Sequence, residues 1–398
     1  MRLIVKSFTC LERLQYLLQK SLRLQAVSIT MLKNLIGLVF KVYAYIISRF
    51  LKREYIVFYS KHGYVDNPKY LFRFCLENGL KCVWIQIGKK GDAEVRALKQ
   101  SYDFVLLTKK NILKSQYYIA RAKYVFVSHS FFDIGSFIQK TTQVVNLWHG
   151  VALKKMGYDS EVDVNGFLST LKENPYTNND FVIVANEYSK EHMVSCMQLS
   201  PDRVLNLGQP RNDVLLESKT KRPLEKSINQ TTSFLYAPTF RGDESKALSI
   251  YRSIIESFEK FAPMDSNLVL RLHPNEAHLV QKITYSNRVK LSNTEDIQEE
   301  LLASDVLISD YSSVVFDFAL TEKPVILFVP DKNEYFKERT GFYFEFDILF
   351  EGVSIAESIE EMKWSKGYDA VQYEKLIKLN HTTPSCEKIF QYFNLRQV

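Results

Sequence analysis

Several features that often reveal the class of a protein are missing from this sequence. Its five cysteines include no CxxC pair and no Cys/His spacing suited to a metal, so we expect free thiols in a reducing compartment. The apolar stretch at residues 35–47 is interrupted by Lys41 and is followed by no small-residue cleavage site. These absences exclude a secretory signal and argue against a membrane-spanning helix, and the lack of an internal repeat excludes a solenoid.

The positive charge of the chain is concentrated at its start. The net charge is +7, but residues 1–53 hold ten Lys and Arg against one acid, Glu12, so this segment carries +9 and the remainder −2. So local an excess does not fit a nucleic-acid-binding surface spread over a domain. We therefore expect no nucleic-acid partner.

The same segment has the pattern of an amphipathic helix. Its apolar residues share one helical face, flanked by basic residues, which suits a helix lying in the headgroup layer of an anionic membrane surface. A helix packed on its own domain is the alternative interpretation. The predicted location is peripheral, on the cytoplasmic face of the cell membrane. The residues of this face are Leu32, Leu35, Ile36, Val39, Val42 and Tyr43, with Tyr45 beside them.

Beyond residue 53, strand-like and helical stretches alternate along the sequence. Short runs of Val, Ile and aromatic residues separated by helical patterns predict βαβ units on parallel sheets. A polar stretch at 217–232 interrupts the pattern, which then resumes. Two doubly wound, Rossmann-type α/β domains facing across a cleft are therefore predicted. The predicted strands are 55–60, 81–87, 104–108, 124–129, 144–148, 181–185, 204–207, 234–237, 268–272, 306–309 and 325–329, and the predicted helices include 68–78, 94–100 and 112–122.

Polar motifs follow four of these strands, at the sheet edge where ligands of doubly wound domains bind. In chain order they are WHG at 148–150, TFR at 239–241, RLHP at 271–274 and SDYSS at 309–313. Ser312 and Ser313 stand where a helix is predicted to begin, and their hydroxyls and N–H groups suit a diphosphate. An ordinary serine N-cap would look the same. Asp317, one turn further on, is predicted to bind the hydroxyls of a ribose.

His149 and His273 follow one strand in each half of the chain. A single histidine at such a place is more often structural than catalytic. Two at equivalent strand ends of facing domains suit a pair in which one removes a proton from a hydroxyl and the other donates to a phosphate. Arg241 and Arg271 are predicted to neutralise a diphosphate, with surface positions as the alternative.

These motifs carry a family resemblance over residues 55–347. The sequence resembles the CDP-glycerol glycerophosphotransferase family of teichoic-acid and capsule synthesis, in the order WHGVALKKMGYD, GQPRND, YAPTFRGD, RLHP, SDYSSVVFDF and KPVILF. The resemblance implies a GT-B-like fold, and a C-terminal domain that holds a CDP-glycerol or CDP-ribitol donor. It implies that His149 is the base on the acceptor hydroxyl, that His273 contacts the donor phosphate, and that Ser312 and Ser313 hold the diphosphate.

The remaining site predictions follow from the same motifs. Thr239 is expected on the donor side, and Gly150 and Lys154 on the side of a lipid-linked saccharide acceptor. No DxD-like or Asp/His cluster is evident, so no cofactor and no structural metal are expected; a Mg²⁺ ion accompanying the diphosphate stays open. The predicted parts are a membrane-association segment at 1–53, an acceptor-binding domain at 54–216, a linker at 217–232, a donor-binding domain at 233–375 and a C-terminal helical segment at 376–398.

The sequence departs from the usual family pattern in two places. The more usual HGTPLK is HGVALK here, and the usual RG is Arg339-Thr340-Gly341. The first departure borders the acceptor site, so acceptor identity and the choice between glycerol and ribitol stay open. The compact chain favours a priming enzyme over a polymerase. The alternatives are a glycosyltransferase of the same fold that uses a CMP-sugar, and a catalytically silent membrane adaptor.

Overall fold

The computed structural model describes residues 35, 38–39, 42–43, 45–108, 111–129, 142–220, 231–338, 341–364 and 370–398. These residues form two parallel sheets with intervening helices. Each sheet changes direction of winding once, so each is doubly wound. The predicted α/β fold with two Rossmann-type domains is therefore confirmed.

The first sheet has seven parallel strands. They are β1 (Tyr55–Tyr59), β2 (Cys82–Gln86), β3 (Val105–Thr108), β4 (Ala122–Val127), β5 (Gln143–Asn146), β6 (Phe181–Val184) and β7 (Val204–Asn206). Their order in the sheet is β3-β2-β1-β4-β5-β6-β7, with the switch point between β1 and β4. The central strands are rich in Val, Ile and aromatic residues, and β2 is buried along its whole length, as expected of a parallel sheet covered on both faces.

The second sheet has six parallel strands. They are β8 (Thr232–Tyr236), β9 (Ser266–Leu270), β10 (Val289–Leu291), β11 (Val306–Ser309), β12 (Val325–Phe328) and β13 (Ser354–Ala356). Their order in the sheet is β10-β9-β8-β11-β12-β13, with the switch point between β8 and β11. Strands β10 and β13 were missed in the sequence because each has only three residues and too few apolar positions to show a pattern.

The helices fall between the strands as the alternation predicts. The helices predicted at 68–78, 94–100 and 112–122 are present, each with ends shifted by two residues or fewer. The helices are α1 (Asp66–Glu77), α2 (Asp92–Leu98), α3 (Ile112–Ala120), α4 (Glu161–Asn165), α5 (Glu187–Met197), α6 (Asp213–Thr220), α7 (Glu244–Phe261), α8 (Ile297–Ala303), α9 (Val314–Ala319), α10 (Lys332–Glu338), α11 (Phe346–Leu349), α12 (Ala370–Lys378) and α13 (Ser385–Tyr392).

The end of the chain returns to the first sheet. Phe390 and Phe393, from α13 and the residue after it, pack in one core cluster with Phe58, Trp84 and Phe126. By contrast, α12 packs against α9 of the second domain, through a core cluster that contains Leu376. The C-terminal segment therefore links the two domains. Of the predicted linker at 217–232, residues 217–220 complete α6, Thr232 begins β8, and residues 221–230 lie outside the described part of the chain.

The predicted N-terminal helix is covered only in part. Its residues Leu32 and Ile36 lie outside the described residues, whereas residues 45–50 are helical. Among the described residues of the segment, six large hydrophobic side chains are more than half exposed: Leu35, Leu38, Val39, Val42, Tyr45 and Phe50. Among the described residues, no helix is long and apolar enough to cross a membrane. The membrane-surface helix itself stays a prediction.

Candidate functional site

A cavity of about 370 Å³ lies between the two domains, at the carboxyl ends of their strands. The loop after β5 of the first sheet forms one side, and the loops after β8, β9 and β11 of the second sheet form the other. Seven of the ten predicted site residues line it. They are His149, Gly150, Lys154, Thr239, His273, Ser312 and Ser313.

The strand that carries His149 ends earlier than predicted. Strand β5 stops at Asn146, because the carbonyls of Leu147 and Trp148 accept hydrogen bonds from Asn67 Nδ2, at 3.1 and 2.8 Å, instead of pairing within the sheet. Trp148 has a φ of 53°, a conformation unusual for a residue with a side chain. Its backbone N–H donates to Asn146 Oδ1 at 2.9 Å. These bonds hold the turn that directs His149 toward the cavity.

The ring of His149 is fixed on both faces and at one nitrogen. It stacks between Trp148 and His129, with ring centroids 4.4 Å away on either side. Its Nδ1 lies 3.0 Å from the carbonyl oxygen of Ser128. Since a carbonyl can only accept, Nδ1 carries the proton and Nε2 presents a lone pair. Burial lowers the pKa of His149, which keeps this neutral form in place at neutral pH.

The two ring nitrogens of His273 have the opposite protonation to those of His149. Its Nδ1 accepts a hydrogen bond of 3.2 Å from the backbone N–H of Asn275, so the neutral ring carries its proton on Nε2. Burial also lowers the pKa of His273. Among the described residues, neither Nε2 has a hydrogen-bond partner, so the cavity is lined by one histidine with an available lone pair and another with an available N–H donor. That combination suits proton removal from one reactant and hydrogen bonding to a phosphate on the other.

Three hydroxyl groups belong to the same wall as His273. Ser312 and Ser313 follow β11, and Thr239 follows β8. The hydroxyl of Thr239 is buried and has no hydrogen-bond partner among the described residues, which is costly unless a ligand supplies one. Its backbone N–H donates to both carboxylate oxygens of Asp310, at 2.9 and 3.1 Å, so the residue is held in place.

Gly150 and Lys154 lie on the opposite wall. A Cβ atom at Gly150 would stand 2.7 Å from Ser313 Oγ, so a glycine permits the two domains to approach at this point. Lys154 Nζ lies 5.4 Å from the centre of the Tyr335 ring. Arg339 and Thr340, which belong to the second departure from the usual family pattern, lie outside the described residues.

Two of the predicted donor-binding residues, Arg241 and Asp317, do not line this cavity, and oppositely charged neighbours hold their side chains. Arg241 is buried and ion-paired with Asp310 at 2.7 Å and Asp331 at 2.8 Å. Asp317 is buried and accepts hydrogen bonds from Arg211 at 2.7 Å and Asn212 at 2.9 Å. Direct contact of Arg241 and Asp317 with a donor stays a prediction.

Arg271 pairs with Glu300 at 2.8 Å and donates to Thr294 Oγ1 at 2.9 Å. It lines a second cavity, of about 430 Å³, which also receives Lys90 from the first domain. Since Pro274 lines the second cavity and His273 the first, the two cavities adjoin along one loop. Within the described residues, no group of three or more His, Cys, Asp or Glu could hold a metal ion.

Several residues that shape the site were missed in the sequence. Asn67 at the start of α1, and Ser128 and His129 just after β4, support His149 from 20 to 82 positions away along the chain. His129 is the last residue of one predicted strand and His149 directly follows another, so a position at a strand end was the available signal. Arg211 belongs to the GQPRND motif, which carried the resemblance without a role being assigned to it.

Comparison with known proteins gives a consistent result. A family model described as CDP-Glycerol:Poly(glycerophosphate) glycerophosphotransferase matches residues 41–381. The chain is 28% identical over 350 residues to a teichoic acid poly(glycerol phosphate) polymerase of Staphylococcus epidermidis, covering 83% of this chain and 48% of that protein. It is also 28% identical to a teichoic acid glycerol-phosphate transferase of Staphylococcus aureus, over 76% of this chain and 80% of that protein.

The fold has a matching solved structure. The wall teichoic acid polymerase TagF superposes with a TM-score of 0.70 at 21% identity, over 93% of this chain and 96% of that one. The chain spans about half the length of the Staphylococcus epidermidis polymerase that it matches in sequence. The superposition confirms the predicted GT-B-like fold.

Proposed function

Since this chain belongs to the CDP-glycerol:poly(glycerophosphate) glycerophosphotransferase family, we propose that it transfers a polyol phosphate from a CDP-activated donor to an acceptor hydroxyl and releases CMP. The observation that carries the proposal is the pair of histidines that face one interdomain cavity with opposite proton arrangements. Similarity to teichoic acid transferases supports a role in the synthesis of teichoic acid or a related cell-surface polymer.

The proposed reaction is an in-line displacement at the β-phosphorus of the donor, the phosphorus that carries the polyol. His149 Nε2 takes the proton of the acceptor hydroxyl as its oxygen forms a bond to this phosphorus. The bond from the phosphorus to the bridging oxygen breaks, and CMP leaves with the electron pair. The Nε2–H of His273 donates a hydrogen bond to the phosphate oxygens, where negative charge develops.

The donor diphosphate is assigned to the wall formed by Thr239, Ser312, Ser313 and His273. The unpaired buried hydroxyl of Thr239 supports this placement. Arg241 is proposed to hold Thr239 in position, because its Nη1 donates a hydrogen bond to the carbonyl of Thr239 at 2.8 Å. The nucleoside is assigned to the adjoining second cavity, which gives Arg271 its predicted place beside the donor.

The acceptor is assigned to the wall of His149, Gly150 and Lys154, and we propose that it is a lipid-linked saccharide. The exposed apolar side chains at residues 35–51 and the +9 charge of residues 1–53 support contact with an anionic membrane surface. The proposed location is therefore peripheral, at the cytoplasmic face of the cell membrane.

A donor panel tests this function. Purified full-length protein is incubated with a lipid-linked acceptor and, separately, with CDP-glycerol, CDP-ribitol or a CMP-sugar, and the lipid products are analysed by mass spectrometry. We expect the acceptor to gain a polyol phosphate from one or both CDP-polyols, and His149→Ala to slow this gain by about 10²–10⁴-fold. Transfer from the CMP-sugar alone, or from none of the donors, would overturn the proposal.

A further inference from the structure

Arg211 lies between the two domains, and the proposed reaction leaves it without a role. It precedes α6 and is largely buried between two carboxylates. Its Nη1 donates to Asp66 Oδ1 at 2.9 Å, and its Nη2 donates to Asp317 Oδ2 at 2.7 Å. Asp66 begins α1 of the first domain, whereas Asp317 lies on α9 of the second, which directly follows Ser313. One guanidinium therefore joins the donor-side helix to the first domain.

The backbone of Arg211 reaches the catalytic histidine by a second route. Its N–H donates to Asn67 Oδ1 at 3.0 Å, and Asn67 Nδ2 holds the carbonyls of Leu147 and Trp148. These are the two residues directly before His149. Because Trp148 has a positive φ, its turn persists only where the surroundings hold it, and the amide of Asn67 is one of those restraints.

The two routes meet at Gly150. A Cβ atom placed there would lie 2.7 Å from Ser313 Oγ and 3.7 Å from Arg211 Nη2. The donor-side serine, the residue after the base and the guanidinium are thus packed around one point. A shift of either domain at this point changes the distance between the acceptor base and the donor wall.

We propose that Arg211 is a positioning residue that holds the acceptor base His149 and the donor-binding serines in register across the domain interface; this inference rests on the proposed function. A misplacement of about 1 Å between reacting groups can lower a rate about 10²-fold. Arg211 contacts neither reactant in this arrangement. It acts through Asp317 on one side and through Asn67 on the other.

The same network sets the charges around His149. Within the described residues, the ring of His149 interacts electrostatically with Asp66 on α1, His62 after β1 and Arg211 before α6, and it stacks on His129 after β4. Burial lowers the pKa of His149, Asp66 raises it, and Arg211 and His62 lower it further. Removing Arg211 and removing the charge of Asp66 should therefore move this pKa in opposite directions.

The test combines steady-state kinetics with NMR titration of the His149 ring in the free full-length protein, where His149→Ala identifies the signal. Arg211→Met is expected to lower kcat about 10²-fold and to raise the pKa of His149. Asp66→Asn is expected to lower both kcat and that pKa. If Arg211→Met does not fold, Arg211→Met combined with Asp317→Asn replaces it, because this pair leaves no unpaired buried carboxylate on α9.

Lys69→Met is the matched control. Lys69 is a buried cation on the same helix as Asp66, and it also bridges the domains, with Nζ 3.3 Å from Asp296 Oδ2. We expect this variant to keep the wild-type kcat per folded molecule and the wild-type pKa of His149. An equal loss of kcat in Lys69→Met and Arg211→Met, or an unmoved pKa in both charge variants, overturns the proposal. Wild-type protein that uses no CDP donor refutes the proposed function instead, while the titrations still decide the role of Arg211.

Discussion

Removing the imidazole of His149 should separate catalysis from donor binding. The ring lies on the cavity wall to which we assign the acceptor, whereas the diphosphate is assigned to the opposite wall. We therefore expect His149→Ala to lose turnover by about 10²–10⁴-fold, the usual contribution of a general base, which corresponds to about 3–5 kcal/mol of transition-state stabilisation. Its affinity for CDP-glycerol, measured by calorimetry, should equal that of the wild-type protein.

The pH dependence gives the same prediction a second measurement. A histidine works as a base only when it is neutral, and burial lowers the pKa of His149 below its ordinary value of about 6.5. The activity of the wild-type protein should therefore persist below pH 6.5 and fall only as the pH drops through the lowered pKa. This acid limb of the profile of kcat/KM should be missing from the residual activity of His149→Ala.

Thermal unfolding, measured alongside the kinetics, tests whether His149 has a purely structural role. His278 offers a control, since its ring is exposed and lies 2.7 Å from Glu244 on the protein surface. His278→Ala should keep the wild-type rate and the wild-type pH profile. A His149→Ala protein that unfolds at the wild-type temperature and still turns over at a near wild-type rate would refute the assignment of the base.

Three further predictions follow from other parts of the structure. The double variant Ser312→Ala/Ser313→Ala should bind CDP-glycerol more weakly in calorimetry, by about 1.5–3 kcal/mol per lost hydrogen bond. An unchanged affinity would contradict the assignment of the diphosphate to these serines. Burial lowers the pKa of His129 to about 2. The free energy of unfolding should therefore fall as the pH drops below about 6.5, by up to about 1.4 kcal/mol per pH unit. Denaturant titrations of the His129→Phe variant should show a smaller fall. The double variant Leu38→Asp/Val42→Asp should sediment less with anionic vesicles than the wild-type protein does. Equal sedimentation of the two proteins would refute the proposed contact with a membrane surface.

The fold could be predicted because its signals are local. The longer strands are rich in Val, Ile, Leu and aromatic residues, and the helices at 68–78, 94–100 and 112–122 each have a helical pattern of their own. Strands β10 and β13 were missed because three residues cannot show a period, and both are edge strands. Strand β5 ends early because Asn67, 80 positions away, takes up the carbonyl of Leu147. No local pattern contains that information.

The site could be predicted only as a set of strand ends. The rule that ligands bind at the carboxyl ends of parallel strands selects His149, His273 and Ser312 correctly as lining residues. The proton positions of the two histidines depend on a carbonyl and an amide that only the folded chain brings to them. Arg241 and Asp317 were predicted from their residue types and their positions near strand ends, and the ion pairs that hold their side chains join them to distant parts of the chain.

The nucleotide released from CDP-glycerol in the presence of an acceptor tests the central claim most directly. Displacement at the β-phosphorus predicts CMP, formed in equal amount to the glycerol phosphate gained by the acceptor. Chromatography of the nucleotides and mass analysis of the acceptor give both quantities from one reaction. Release of CDP with transfer of glycerol alone, or release of CMP with glycerol phosphate left free in solution, would contradict the account.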